Sequence, residues 1–250
     1  MQPLTKGHYR VRIADTAADV RAAQHLRQRA FHPATRKAEA DAAIDEDPFD
    51  PLSRHVLIED LQDGTLVCCF RGLEFQAGSE IHASYSAQFY DLSRLARYPG
   101  RMIEIGRFCI LPERSDPDIL RLAWASLARH VEMQGIEMMF GCSSFVGTDH
   151  ERYTDTFALL RADHLAPQEW QPGIKASQVF RFAAQLQGPP DRRKAMQKMP
   201  PLLRTYLMMG GWVSDHAVID QAMDTLHVFT GVEIRMIPQT RKKLLLAVWV

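Results

Sequence analysis

The chain has 250 residues, of which 46% are hydrophobic and 24% charged, enough to build a sizeable core. Its 30 basic and 30 acidic residues cancel, which excludes a global attraction to nucleic acid or to anionic membranes. Because no stretch has the length of a transmembrane helix or the pattern of a signal peptide, we predict a cytoplasmic protein.

The N-terminal part predicts a strand, a helix and a hairpin. Residues 9–13 alternate between apolar and basic side chains, which is typical of a strand. Thr16 and Asp19 form the pattern of a capping box before a helix that ends near Phe31. Residues 62–64, Gln-Asp-Gly, lie between two runs rich in β-branched residues and predict a hairpin turn.

Residues 34–55 have many acids, two prolines and no apolar periodicity, so we predict an irregular loop. This loop is interpreted either as a solvated connector or as an ordered lid over a site. Residues 80–90 predict a further strand, and residues 92–98 predict a short helix.

The next segment predicts a βαβ unit. Met102–Ile110 forms the first strand, Asp116 caps the helix, and Pro117 fits its first position. Gly135 closes the helix in a left-handed conformation, and residues 136–142 form the second strand.

The C-terminal part predicts shorter elements. They are helices at 151–161 and 202–209, and strands at 176–182, 212–220 and 225–230. Basic residues gather in 192–204 and 241–243, whereas acidic residues gather in 39–63. These charge runs are either two solvated faces or a dock for an acidic protein or anionic headgroups.

Several chemistries lack their motifs. The chain contains neither GxGxxG nor GxxxxGK[ST], His150-Glu151 does not continue to HExxH, and residues 141–145 are not GxSxG. The four cysteines lack CxxC spacing and the ten histidines are scattered, so we predict no metal site and reduced core thiols.

What remains is a set of residues that a folded core does not require. They are Arg27, Phe31, Asp45, Asp47, Asp50, Arg71, Glu104 and Arg107. Glu104 and Arg107 stand three positions apart in one strand, so their side chains face opposite sides unless the strand bulges. We predict a bulge at Gly106 that brings both to one cleft; the alternative is a structural salt bridge between Glu104 and Arg71 or Arg107.

This series resembles that of acyl-homoserine-lactone synthases, which belong to the GNAT acyltransferase superfamily. Those enzymes usually have glutamate at the position of Asp45, and a tryptophan after the phenylalanine that is not found here. The strings EIGRFCI, GCSSF and PPLLRTYLMMGGWVSDHAVID, within a likeness that spans roughly residues 10–238, resemble the sister family that N-acylates ornithine.

The resemblance implies a single α/β domain over residues 1–250 with the GNAT fold, a mixed and mostly antiparallel sheet flanked by helices. Residues 9–145 would form the half with the catalytic strand, and residues 146–250 a C-terminal extension that completes the sheet. It also implies transfer of a long (3-hydroxy)acyl group from acyl carrier protein to the α-amine of ornithine, the first step of aminolipid synthesis. No cofactor is expected to be bound.

Roles follow from this resemblance. Glu104 would be the catalytic base, Arg107 or a backbone amide near Phe108 would stabilise the oxyanion, and Ser143 or Ser144 would protonate the leaving thiolate. Arg27 and Arg71 would hold the acceptor carboxylate. The three loop aspartates would tie those arginines or bind the acceptor's side-chain cation. The remaining substrate-binding candidates are Phe31, Phe108 and Ile110, and an acyl tunnel would be lined by Phe108, Trp124, Phe140 and Phe145. Carrier-protein docking candidates are Arg114, Arg121, Arg192, Arg193, Lys194 and Lys198.

The turn at residues 111–118 favours a carrier-protein donor. It has no glycine, and its three carboxylates would repel the pyrophosphate of coenzyme A. Pantetheine would instead add to the edge of strand 102–110. The sequence leaves open a glutamine acceptor, an acyl-homoserine-lactone synthase, a non-catalytic binding module and peripheral contact with the inner membrane.

Overall fold

The computed structural model describes residues 4–32 and 44–246. Its strands are β1 (Leu4–Lys6), β2 (Tyr9–Ile13), β3 (Arg54–Asp60), β4 (Leu66–Phe75), β5 (Tyr90–Asp91), β6 (Met102–Ile110), β7 (Met138–Val146), β8 (Gly173–Ile174), β9 (Val179–Phe180), β10 (Trp212–Val213), β11 (Ala217–Asp220) and β12 (Thr225–Glu233). Its α-helices are α1 (Ala17–Phe31), α2 (Pro117–Gln134), α3 (Thr154–Asp163), α4 (Phe182–Gln185), α5 (Arg192–Lys198), α6 (Pro201–Met208) and α7 (Gln239–Leu246). Short 3-10 helices are Asp50–Leu52, Gly78–Ala83, Ser86–Gln88, Leu95–Arg97, His150–Tyr153 and Ile234–Met236.

The chain divides into two compact units whose segments alternate along the sequence. Unit 1 comprises Met1–Glu74, Ile105–Gly135 and Gln239–Val250, and unit 2 comprises Phe75–Glu104 and Ile136–Pro238. Strand β6 therefore gives its first three residues to unit 2 and its last six to unit 1. The single domain over residues 1–250 and its division at residue 145 stay predictions.

Unit 1 contains strands in the order β1-β2-β3-β4-β6, with antiparallel pairing from β1 to β4. The predicted capping box is confirmed: Thr16 Oγ1 accepts from the Asp19 amide, and Asp19 Oδ2 accepts from the Thr16 amide. Helix α1 buries Ala23 and Leu26 in an apolar cluster with Cys69 of β4. This packing presents one side of α1 to the sheet and leaves its other side hydrated.

Unit 2 contains strands in the order β6-β7-β12-β11-β9, and β10 also pairs with β12. Strands β6 and β7 run parallel over three residue pairs, whereas β7 and β12 form a long antiparallel ladder. One face of that ladder packs Phe145 and Val228 against Phe157 of α3 and Leu203 of α6. The predicted mixed, mostly antiparallel sheet with flanking helices is confirmed, and β10 to β12 extend it at the C-terminal side.

The helix of the predicted βαβ unit forms as expected, because the residues that cap its two ends are close to it in sequence. Asp116 accepts a hydrogen bond from the Asp118 amide, and Gly135 has φ +62°, the left-handed cap that was predicted. The predicted strand over residues 80–90 is wrong, since two 3-10 helices occupy most of that stretch. Of the predicted strand over 176–182, only β9 forms. Residues 34–43 of the predicted acidic loop lie outside the described residues.

Candidate active site

Glu104 lies at the end of the parallel ladder in unit 2, where it pairs with Phe140. Its side chain is buried, and both carboxylate oxygens accept hydrogen bonds. The Tyr85 amide donates to Oε2 at 2.8 Å, and the Ser86 amide donates to Oε1 at 2.7 Å. The Ser86 hydroxyl donates to Oε1 at 2.5 Å. Three donors around one carboxylate stabilise its ionised form.

The turn that carries Tyr85 and Ser86 explains how two consecutive amides reach one side chain. In a strand, neighbouring N–H groups point to opposite edges, so the predicted strand would not bring both to Glu104. Here the Ser84 hydroxyl accepts from the Ala87 amide at 3.2 Å, a local bond that favours a turn. Sequence reasoning missed Tyr85 and Ser86. The available signal was the Ser-x-Ser spacing, which is typical of turns.

Strand β7 extends the same face beyond Glu104. Because side chains alternate along a strand, Cys142 and Ser144 share the face of Phe140, whereas Ser143 lies on the other. Cys142 Sγ is 3.5 Å from the Ser86 hydroxyl, whose single hydrogen is donated to Glu104. The thiol is therefore the donor in that contact.

The structure separates the two serines that the sequence left as alternatives. Ser144 is exposed on the face of Glu104. Ser143 is buried on the opposite face, where its oxygen accepts from the Thr230 hydroxyl at 2.9 Å. Of the two, Ser144 is the one exposed on the face of Glu104.

Aromatic rings and a neutral histidine continue this face on β12. Phe229 stacks on Phe140 with ring centroids 5.6 Å apart. The Tyr90 hydroxyl donates to the His227 carbonyl at 2.8 Å and lies 3.0 Å from its Nδ1. Burial lowers the pKa of His227 to about 4, so the imidazole is neutral at neutral pH.

In unit 1, Asp50 is the centre of a buried ionic cluster. Its Oδ1 accepts from Arg27 at 2.7 Å and from Arg71 at 2.6 Å, and its Oδ2 accepts from Arg27 at 2.8 Å and from Gln24 at 2.9 Å. Burial would raise the pKa of Asp50, but the hydrogen bonds and charges of the arginines hold it well below the usual range.

Asp45 and Asp47 complete the cluster. Asp47 accepts two hydrogen bonds from Arg71, at 2.6 and 2.8 Å, and two from Arg107, at 2.9 and 3.2 Å. Asp45 accepts from Arg27 Nε at 2.8 Å and lies 3.3 Å from Arg107 Nε. Three arginines thus balance three aspartates, which ties the loop around residues 45–50 to α1, β4 and β6.

The hydrogen-bond donors of Arg27 are already engaged by aspartates and are not open to a substrate. Its side chain is 1% exposed and its donors contact Asp45, including the backbone oxygen, and Asp50. The aspartates tie the arginines, which is one of the two roles that the sequence left open for them. We therefore assign Arg27 to holding the loop rather than to the acceptor carboxylate.

Arg107 itself carries the backbone irregularity of β6. It has φ +52°, whereas Gly106, where the bulge was predicted, does not have a positive φ. A non-glycine residue in this region is strained by roughly 1–2 kcal/mol and is typical of functional sites. The ion pairs with Asp45 and Asp47 offset part of that cost.

The family of acetyltransferase (GNAT) domains matches residues 26–125. The L-ornithine N(alpha)-acyltransferase of Rhodobacter capsulatus is 30% identical over 246 residues, covering 94% of this chain and 93% of that protein. The chain belongs to the L-ornithine N(alpha)-acyltransferase family. The Brucella abortus member is 29% identical and covers 92% of this chain and 86% of its own length. The crystal structure of the acyl-homoserine-lactone synthase LasI matches with a TM-score of 0.44 at 15% identity, covering 92% of this chain and 91% of that chain.

In this family member, the predicted apolar substrate residues occupy separate places. Phe108 stacks on Phe70 at 5.1 Å and lies 6.2 Å from Trp124, all in unit 1. Phe31 packs against the apolar cluster of α1, and Ile110 is half-buried. Phe140 lies on the Glu104 face of unit 2, whereas Phe145 belongs to the core on the other face.

The docking candidates differ in whether a carboxylate neutralises them. Four of them form ion pairs: Arg114 with Asp60 and Asp63, Arg121 with Asp118, Arg192 with Asp163, and Lys194 with Asp191. Within the described ranges, Arg193 and Lys198 have no carboxylate partner.

All four cysteines are free thiols, as predicted; Cys142 is only half-buried. In the ranges 4–32 and 44–246, no group of three acidic, histidine or cysteine side chains is arranged to hold a metal ion. The helices in those ranges are too short or too polar to span a bilayer.

Proposed function

We propose that this protein is an L-ornithine N(alpha)-acyltransferase that moves a long-chain (3-hydroxy)acyl group from acyl carrier protein to the α-amine of ornithine. The product is the lyso-lipid precursor of an ornithine lipid. Family membership supports the reaction, and the observation that carries the mechanism is the carboxylate of Glu104 with its three donors.

The reaction is direct aminolysis of a thioester. Glu104 takes a proton, through water, from the α-ammonium of ornithine, because only the free amine attacks the thioester carbon. A C–N bond forms and the C–S bond breaks. The second proton of the attacking nitrogen then passes to the Ser144 hydroxyl as that hydroxyl gives its own proton to the leaving thiolate of the carrier, so Ser144 ends as a neutral hydroxyl. The hydrogen bonds from Tyr85 and Ser86 hold the Glu104 carboxylate in one orientation, so little reorganisation precedes the proton transfer.

The oxyanion role stays a prediction with two alternatives. The guanidinium of Arg107 already donates to Asp47, which favours the backbone amide near Phe108 over the Arg107 side chain. Arg71 is likewise bound to Asp47 and Asp50. To bind the acceptor carboxylate as expected, it would have to give up hydrogen bonds to these aspartates.

The N-terminus of α2 supports a carrier-protein donor. Asp116 places its carboxylate on the Asp118 amide, where a pyrophosphate group would otherwise bind. A carrier-bound pantetheine has no pyrophosphate and needs no such site. Coenzyme A would meet a like charge there.

A direct assay tests this proposal. Purified enzyme is incubated with 3-hydroxyacyl carrier protein and either ornithine or glutamine, and the N-acyl product is identified by mass spectrometry. We expect N-acylornithine, and loss of turnover in Glu104→Gln with folding unchanged. Glu132→Gln, an exposed change on α2, is the matched control. Preferential acylation of glutamine would assign the other acceptor, and full activity of Glu104→Gln would exclude the proposed base.

A further inference from the structure

Two exposed basic residues, Arg152 and Lys198, lie near the carboxyl end of β7. Lys198 Nζ donates to the backbone oxygen of Arg152 at 2.7 Å, which joins α5 to the turn after β7. Among residues 4–32 and 44–246, neither Arg152 nor Lys198 has a carboxylate partner. Both positive charges are therefore available to an external anion.

An exposed apolar side chain lies beside these cations. Val146, the last residue of β7, is 74% exposed. The Tyr153 hydroxyl donates to the Val146 carbonyl at 2.8 Å, and the Arg152 guanidinium lies 5.8 Å from the centroid of the Tyr153 ring. Val146, Arg152 and Lys198 thus lie around the same end of β7, and we call this region the β7-end surface.

The β7-end surface is joined to Glu104 by one face of β7. Phe140 pairs with Glu104, and Cys142, Ser144 and Val146 follow on the same face. Exposure rises along this row, from buried Phe140 through half-buried Cys142 to exposed Ser144 and Val146. Six residues of strand span about 20 Å, so the β7-end surface lies about that far from the carboxylate.

This distance matches the donor's flexible arm. A phosphopantetheine arm has about thirteen bonds between its phosphorus and its sulfur, and at three bonds per extended residue it reaches roughly 15 Å. The attacking amine and a water lie between the thioester and Glu104 and span the remaining distance. In the described residues of unit 2, the parallel ladder of β7 ends at Phe140. The backbone beyond it can therefore pair with the amides of an extended arm.

We propose that the β7-end surface docks the acyl carrier protein, with Arg152 and Lys198 contacting acidic side chains of the carrier around Val146. This inference rests on the carrier-protein donor of the proposed function and specifies the face that receives it. Complementary charge at such a site speeds the association of the two proteins, and salt weakens this electrostatic attraction. A protein with an acidic, partly apolar surface fits this arrangement.

The test compares two donors in the full-length enzyme. The variant Arg152→Glu/Lys198→Glu is assayed with acyl carrier protein and with a small acyl thioester of N-acetylcysteamine. The control Arg21→Glu/Arg54→Glu makes the same change in net charge at exposed positions of unit 1. Binding of fluorescently labelled holo-carrier protein is measured by anisotropy at low and high salt.

We expect the Arg152/Lys198 variant to raise KM for the acyl carrier protein at least tenfold and to leave turnover of the small thioester within twofold. Its holo-carrier affinity should fall and lose most of its salt dependence, while the control matches the wild type. Equal losses with both donors, or no loss with either, would overturn the assignment. So would loss of binding to anionic vesicles with an unchanged KM for the carrier, which would assign the surface to the membrane. If the wild type uses only the small thioester, the carrier-protein donor itself fails.

Discussion

Ser86 donates twice to one oxygen of Glu104: its amide lies 2.7 Å and its hydroxyl 2.5 Å from Oε1. The third donor, the Tyr85 amide, holds Oε2, so the carboxylate cannot rotate without losing hydrogen bonds. A base that must meet an amine in one orientation benefits from this restraint. Ser86 is thus a positioning residue for the proposed reaction.

Ser86→Ala tests that role. The two amides remain, so we expect a stable protein whose kcat falls roughly 10- to 100-fold because the carboxylate is less well oriented. KM for ornithine should change less than kcat. Steady-state kinetics measure both, with Ser93→Ala at an exposed position as the control. A kcat within twofold of the wild type would show that the hydroxyl does not orient the base.

The sequence predicted the strand that carries Glu104 but not the turn that binds it. Asp116, Gly135, Thr16 and Asp19 act within their own helix ends, so their roles follow from residue type and spacing. The donors to Glu104 belong to a distant segment whose apolar content matched a strand equally well. Such a contact depends on tertiary packing, which local propensity does not encode.

The backbone of Arg107 is a second feature that the local sequence did not determine. The need for an irregularity in β6 followed from the spacing of Glu104 and Arg107, and glycine is the residue that tolerates it best. The structure places the positive φ on Arg107, one position later. Ion pairs with Asp45 and Asp47 hold it there, and their partners come from a loop whose path the sequence leaves undetermined.

The aspartate cluster predicts a loss of stability in acid. The folded-state pKa values of Asp47 and Asp50 are lowered because hydrogen bonds and charges from arginine outweigh burial. Their stabilisation is present above the unfolded pKa of about 3.9 and is lost as the pH falls below it. Asp50→Asn should lower the free energy of unfolding at pH 7 by about 3 kcal/mol, because it leaves buried arginines underpaired.

Urea denaturation at pH 7, 5 and 3 measures this effect. The variant should also lose less stability than the wild type between pH 5 and pH 3, since one depressed carboxylate is gone. Asp15→Asn, at an exposed carboxylate, should leave both quantities unchanged. Parallel pH profiles for wild type and Asp50→Asn would contradict the assigned pKa shift.

His227 predicts a second loss at higher pH. Its folded-state pKa of about 4 lies below the unfolded value of about 6.5, so the unfolded chain binds the proton more readily. The contribution of neutral His227 to the free energy of unfolding is fully present above pH 6.5. It falls by about 3 kcal/mol between pH 6.5 and pH 4 and changes no further below pH 4. His227→Gln should flatten that interval in urea titrations while the decline below pH 4 remains. An unchanged slope between pH 6.5 and 4 would refute a neutral, buried imidazole.

Arg107 gives a prediction in which the usual order of two substitutions is reversed. Arg107→Ala and Arg107→Gly both remove the pairs with Asp45 and Asp47, but only glycine adopts φ +52° without strain. Arg107→Gly should therefore be more stable than Arg107→Ala by about 1 kcal/mol. At Arg10, in the regular strand β2, alanine should be the more stable of the two because glycine costs more backbone entropy there. Urea unfolding of the four variants measures both differences. If alanine is at least as stable as glycine at position 107, the backbone at that position is not held in the left-handed region.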